Sequence, residues 1–234
     1  MQRLIQRSRS IIPACDVSFA DFETLLSATA DLDHIGAYKI GAVLGLSAGL
    51  PNVVSAARRY TSKPLIYDHQ KAATDIPDTA KAFMHVLRDA GINAVILFPL
   101  SGPKTQLAWM SAGHAADLTV IVDAHMTHPG FVASDGGYIN DEAIDRMLRS
   151  AADAGVHDYV VPGTHPGIIR RVRELLESTG IEPVLYTPGL VAQGGVMAEC
   201  RDAVGSQWHA IVGRALYGAK DSRAAAVAMR EDVE

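Results

Sequence analysis

Residues 94–98, AVILF, and residues 118–122, LTVIV, are short apolar runs rich in β-branched side chains. Between them, residues 104–115, KTQLAWMSAGHA, carry apolar side chains at helical spacing. A continuous apolar run of about five residues fits a strand covered on both faces. Strand, helix and strand make one βαβ unit, whose two strands run parallel. This reading decides the fold, because the same unit recurs along the chain.

Working outward, further strands are predicted at residues 11–15, 37–40, 64–67, 159–161, 183–186 and 210–212, making eight in all. Helical spacing marks residues 19–32, 53–60, 77–90, 141–154, 166–178, 197–204 and 222–231. Pro77 and Pro166 suit first-turn positions, where a missing N–H matters little. Asp141 and Glu142 place negative charge at a helix start. Eight such units in 234 residues predict an α/β chain of (β/α)8 TIM-barrel class, a single domain over residues 1–234 with its first strand near residue 11. An open dinucleotide-binding sheet is disfavoured. The first strand leads into Ala14-Cys15-Asp16-Val17-Ser18 rather than a glycine-rich turn.

Composition narrows the partners. The chain is 48% hydrophobic and 20% charged, with a formal net charge of −5. There is no basic excess, so nucleic acid is not the expected partner. The two cysteines, Cys15 and Cys200, form no disulfide framework or metal-spaced cluster. MQRLIQRSRS lacks the apolar centre of a secretory signal, and no run approaches the ~18 apolar residues of a membrane span. A reduced, cytoplasmic protein with no membrane contact is expected.

In such a barrel the chemistry sits where strands end and loops begin. The polar residues there are Asp16 after strand 1, Lys39 in strand 2, Asp68, His69, Lys71 and Asp75 after strand 3, and Asp123, His125, Thr127 and His128 after strand 5. Strand 7 leads into Thr187-Pro188-Gly189 and Gln193-Gly194-Gly195, and strand 8 into Gly213-Arg214. Any one of these could be a turn former. Opposite charges after strands 1, 2 and 3 together point to a reaction centre. Glycines let backbone N–H groups approach an anion, and Arg214 offers a planar, permanent charge, so the last two loops read as a phosphate site. The alternative is that the glycines only make tight turns and Arg214 pairs with a surface acid.

The ordered set Asp16, Lys39-Ile40-Gly41, Asp68…Lys71…Asp75-Ile76-Pro77-Asp78-Thr79, Met126-Thr127-His128-Pro129-Gly130, Thr187-Pro188-Gly189…Gln193-Gly194-Gly195 and Val212-Gly213-Arg214 resembles the orotidine 5′-monophosphate decarboxylase family. The resemblance runs from about residue 11 to residue 220. It implies a cofactor-free, metal-free decarboxylation of a small nucleotide. Lys71 would protonate C6 of the pyrimidine, and Asp68 would lie beside the substrate carboxylate. Lys39 would be the second lysine of the array, and Asp16 would contact the ribose. Thr127 would stand near the pyrimidine, and Pro188, Gln193, Gly213 and Arg214 would lie at the phosphate end. The resemblance also implies a homodimer with shared sites, Asp75 and Thr79 reaching into the neighbouring subunit.

One spacing departs from the family. Its usual motif is Asp-x-Lys-x-x-Asp, whereas here two residues separate Asp68 from Lys71 and three separate Lys71 from Asp75. Residues three apart on a regular strand face opposite ways, so a bulge or an early turn is expected. A gapless count from Lys71 would instead put His69 and Thr74 at the acid positions. Asp68 and Asp75 are preferred, because Asp75 stays joined to Ile-Pro-x-Thr. Two other functions fit the same residues. One is a magnesium-dependent sugar-phosphate relative recruiting Asp16, Asp68 and Asp123; the other is a barrel that binds a nucleotide without turnover.

Overall fold

In the computed structural model, which describes residues 3–69, 75–190 and 197–233, eight parallel strands close into a barrel in sequence order. The strands are β1 (Arg9–Cys15), β2 (Tyr38–Ile40), β3 (Leu65–Asp68), β4 (Ala94–Leu97), β5 (Thr119–Asp123), β6 (Asp158–Val160), β7 (Val184–Thr187) and β8 (Trp208–Val212). The helices are α1 (Phe19–Thr29), α2 (Ala42–Ala48), α3 (Leu50–Arg58), α4 (Ala80–Asp89), α5 (Pro103–Ala115), α6 (Asp141–Asp153), α7 (Pro166–Glu177), α8 (Met197–Val204), α9 (Arg214–Tyr217), α10 (Ser222–Ala228) and α11 (Arg230–Val233). The predicted fold class holds.

Alternation along each strand builds two cores. Inward residues such as Ile12, Ile66, Ile96, Ile121, Val160 and Ile211 fill the barrel. Outward residues such as Tyr38, Leu65, Val95 and Val120 pack against the helices with Phe22, Leu25 and Met84. This division makes the position of each strand-end residue decisive, because only one face reaches the barrel mouth.

Several bounds differ from the reading of the sequence. β1 begins at Arg9, two residues early, because polar Arg9 and Ser10 are drawn into the sheet beside β8. Arg9 donates to the Gly205 carbonyl at 2.9 Å, and the Ser10 hydroxyl meets His209 Nδ1 at 2.8 Å. α2 has no counterpart among the predicted helices. Its glycine and serine content hides its spacing, and Val43 and Leu46 on it are 71% and 82% exposed. Pro77 opens a short 3₁₀ turn, Pro77–Thr79, before α4, and Pro166 opens α7. Trp109 and Trp208 are buried packing residues, with indole N–H groups bonded to the Ile76 carbonyl and the Thr187 hydroxyl.

Candidate active site

β2 is short, and its central residue, Lys39, faces inward while Tyr38 and Ile40 pack outward. Asp68 ends β3 on the inward face, and Asp16 follows β1. Lys39 Nζ donates to Asp68 Oδ2 at 2.6 Å and to Asp16 Oδ2 at 3.3 Å. The Lys39 and Asp68 side chains are 7% and 5% exposed, and Asp16 is half-exposed. Burial pulls the Lys39 ammonium toward lower pKa, but Asp68 and then Asp16 outweigh it, so its pKa is raised and the charge is retained. Gly41 makes the Asp16 placement possible: a Cβ there would lie 1.9 Å from Asp16 Oδ1.

The same cavity is lined across the barrel mouth by Pro188, Gly189 and Leu190 after β7, and by Gly213, Arg214 and Tyr217 after β8. Arg214 is exposed, and its side chain has no hydrogen bond or ion pair among the described residues. The Gly163 N–H donates to the Pro188 carbonyl at 2.9 Å, and a Cβ on Gly163 would lie 2.7 Å from that oxygen. Glycine there lets the β6 and β7 loops close on each other. Met126 and Thr127 line the cavity from the β5 side, and Ile96, Val160 and Ile211 form its apolar wall.

The structure thus brings together Asp16, Lys39, Asp68, Thr127, Pro188, Gly213 and Arg214. Asp75 is exposed, Thr79 is half-buried, and neither lines this chain's own cavity. Lys71, Gln193, Gly194, Gly195 and the gapless candidate Thr74 lie outside the described residues. The gapless alternative at His69 does not match the geometry. Its ring packs against Tyr67, Phe83 and Trp109, with the Phe83 centroid 4.1 Å away. Burial, only partly opposed by Asp68 and Asp75, lowers its pKa, so it is a neutral packing group rather than the site's acid.

Asp123 is the residue whose part sequence reasoning did not resolve beyond a metal option. It ends β5 facing inward, is 2% exposed, and lines the cavity between the Ile96 and Val160 walls. Among the described residues no three His, Cys, Asp or Glu side chains are grouped to hold a metal ion. Lys39 sits between Asp16 and Asp68 and bonds to both carboxylates.

Opposite charges around a cavity at the C-terminal strand ends are the arrangement of barrel enzymes, and this chain has it. Residues 10–229 match the family described as orotidine 5′-phosphate decarboxylase / HUMPS. A relative from Methanosarcina mazei named orotidine 5′-phosphate decarboxylase is 30% identical over 230 residues, covering 98% of this chain and 97% of the relative. One of the same name from Pyrococcus furiosus is 32% identical over 225 residues, covering 96% and 97%. A crystal structure of orotidine 5′-phosphate decarboxylase from Pyrococcus horikoshii superposes with a TM-score of 0.77 at 26% identity, over 95% of this chain and 98% of that one. A Methanocaldococcus jannaschii structure, complexed with the inhibitor BMP, shares the fold with a TM-score of 0.83 at 22% identity, over 96% and 98%. The chain belongs to the orotidine 5′-phosphate decarboxylase / HUMPS family, and it is an enzyme of the decarboxylase type. No helix among the described residues is long and apolar enough to cross a membrane.

Proposed function

We propose that the protein converts orotidine 5′-monophosphate to uridine 5′-monophosphate and carbon dioxide, in cytoplasmic pyrimidine nucleotide biosynthesis and without a cofactor. The observation that carries this is the Asp16–Lys39–Asp68 array facing Arg214 across one cavity. Arg214 with the Pro188 and Gly213 backbone takes the phosphate, and Gln193 joins them by resemblance. The ribose then lies toward Asp16 and Lys39, and the pyrimidine toward Ile96, Met126 and Thr127. The C6–carboxylate bond breaks, carbon dioxide leaves, and the electron pair on C6 takes a proton from the Lys71 ammonium. Water then reprotonates Lys71. A preorganised ammonium beside developing carbanion charge stabilises the transition state. Asp68, next to the departing carboxylate, disfavours the ground state more than the transition state. The test is loss of orotidine 5′-monophosphate absorbance with purified protein, with and without a chelator. Unchanged turnover in chelator supports this reading, and loss of turnover supports the magnesium-dependent one. Nucleotide binding with no turnover supports a binding protein.

Arg214 supplies a first check. Arg214→Ala should weaken uridine 5′-monophosphate about 30-fold to several hundred-fold, the effect of losing a charge-assisted bidentate contact. Uridine should be affected much less, as calorimetric titration of both ligands would show. Equal weakening would make Arg214 structural.

The proposed active unit is a two-fold dimer with shared sites. Asp75 and Thr79 do not line their own cavity, and Val43, Leu46, Ile76, Val86 and Leu107 expose apolar surface. In that dimer Asp75 faces the partner's Lys71 and Thr79 the partner's ribose site. Mixing Lys71→Ala and Asp75→Ala proteins under subunit exchange then gives heterodimers with one doubly altered and one intact site. With about half the dimers mixed, roughly a quarter of wild-type activity should return. No recovery despite demonstrated exchange would mean that Asp75 serves its own chain.

A further inference from the structure

The cavity's β5 side is held by a clamp that the catalytic reading leaves unused. Asp123 Oδ1 accepts the His125 backbone N–H at 3.0 Å, closing a tight turn at the strand end. The His125 ring then donates from Nδ1 to the Met126 carbonyl at 2.8 Å. Burial lowers the His125 pKa, so at neutral pH the ring is uncharged with its proton on Nδ1. Phe131 packs 5.7 Å from the His125 ring centroid and meets Phe98 edge-on at 5.6 Å, which fixes the turn from outside. The two residues that follow the turn, Met126 and Thr127, line the cavity from this side together with Asp123 itself.

We propose that Asp123 and His125 are positioning residues that set the turn after β5, so that Thr127 meets the base of the bound nucleotide. A short polar side chain that bonds to the backbone two residues on is the standard way to fix such a turn. An error of about 1 Å in a substrate-positioning group is enough to matter for binding and turnover. Asp123 is well suited because it is anchored in the sheet, paired in register with Val160 of β6, and 2% exposed. The inference rests on the nucleotide reading of the cavity.

The test compares uridine 5′-monophosphate with ribose 5-phosphate, which lacks the base. Asp123→Ala should weaken the nucleotide about tenfold, the effect of losing one charge-assisted hydrogen bond, and leave ribose 5-phosphate unchanged. Asp123→Asn keeps an acceptor oxygen and should restore most of the nucleotide affinity. His125→Asn keeps a donor near the Met126 carbonyl and should do better than His125→Ala. Thr127→Ala should add nothing in the Asp123→Ala background, because the threonine is already displaced. Equal weakening of both ligands would overturn the proposal in favour of a general structural role. Additive losses with Thr127→Ala, or failure of asparagine to rescue, would overturn it in favour of direct action by the carboxylate. Should Asp123→Ala fail to fold, the asparagine variants and Thr127→Ala carry the same comparison. Wild-type protein that binds ribose 5-phosphate but not uridine 5′-monophosphate would refute the nucleotide reading, and the clamp's role with it.

Discussion

Lys39→Ala should lower turnover of orotidine 5′-monophosphate on the order of 10²–10³-fold, comparable to removing one preorganised electrostatic group from an active site. It should also destabilise the fold. Lys39 pairs with the buried Asp68 carboxylate at 2.6 Å and also reaches Asp16. Removing one member of a buried pair leaves charge stranded in low dielectric, which costs about 3–5 kcal/mol. Asp68 has other interactions and Asp16 is half in water, so the low end, about 3 kcal/mol, is expected. Urea titrations of mutant and wild type read the loss directly. A mutant as stable and as active as the wild type would mean that the Asp16–Lys39–Asp68 array is dispensable.

The second large effect is at the opposite end of the barrel. There Asp158 is buried and accepts a 2.8 Å hydrogen bond from the Tyr186 hydroxyl, while His209 is buried beside Ser10. Burial raises the Asp158 pKa to about 6, although the Tyr186 bond and His157 act against it. Burial, aided by the charge of Arg3, pushes His209 down to about 3. The two have opposite consequences. The folded state holds the Asp158 proton that the unfolded chain releases near pH 4, so its stabilisation is present below that pH and is lost as pH rises through about 6. The unfolded chain takes up a proton on His209 near pH 6.5 that the folded state refuses, so stability is lost as pH falls from there toward about 3. Between about pH 4 and 6 the two slopes nearly offset, which predicts a flat profile for the wild type. Asp158→Asn should expose the histidine slope, a gain of about 3 kcal/mol from pH 4 to 6. His209→Gln should expose the aspartate slope, a loss of similar size over the same interval. Asp31, Asp33 and Asp141, whose pKa values are lowered at the surface, act below this window. Unchanged flat profiles in both variants would mean that neither group is buried in the charge state described.

β3 and its surroundings show how much of this was readable in the sequence. The apolar run before Asp68 predicts a strand at residues 64–67, and the strand also takes in Asp68, whose side chain faces the cavity. Asp16 and Lys39 are legible for the same reason, being charged residues at the mouth end of apolar strands. Arg214 is legible because it follows a strand and a glycine. The Asp68–Lys71 spacing is different: a strand pattern carries no instruction past the strand's end, and Lys71 lies outside the described residues. His69 illustrates the hazard. One position after Asp68, it turns to the other face and joins Tyr67 two residues back and the more distant Phe83 and Trp109. The buried Ser10, Asp158 and His209 were hidden because polar residues argue against strand interior. They are tolerated there because they bond to Tyr186 and to one another. The part played by Asp123 could be suspected from Asp-Ala-His after a strand. Only the fold shows that its oxygen holds the turn carrying Thr127.

The central claim is that this cavity decarboxylates orotidine 5′-monophosphate with Lys71 as the proton donor, and single-turnover absorbance of that nucleotide tests it most directly. Wild-type and Lys71→Ala proteins would be compared in chelator, with uridine 5′-monophosphate binding measured in parallel. The account predicts conversion by the wild type that chelator does not slow. It predicts loss of conversion in the mutant, with nucleotide binding largely kept, since in the proposed site the phosphate grip of Arg214 is the same for substrate and product. Normal conversion by Lys71→Ala, or nucleotide binding without conversion by the wild type, would contradict it.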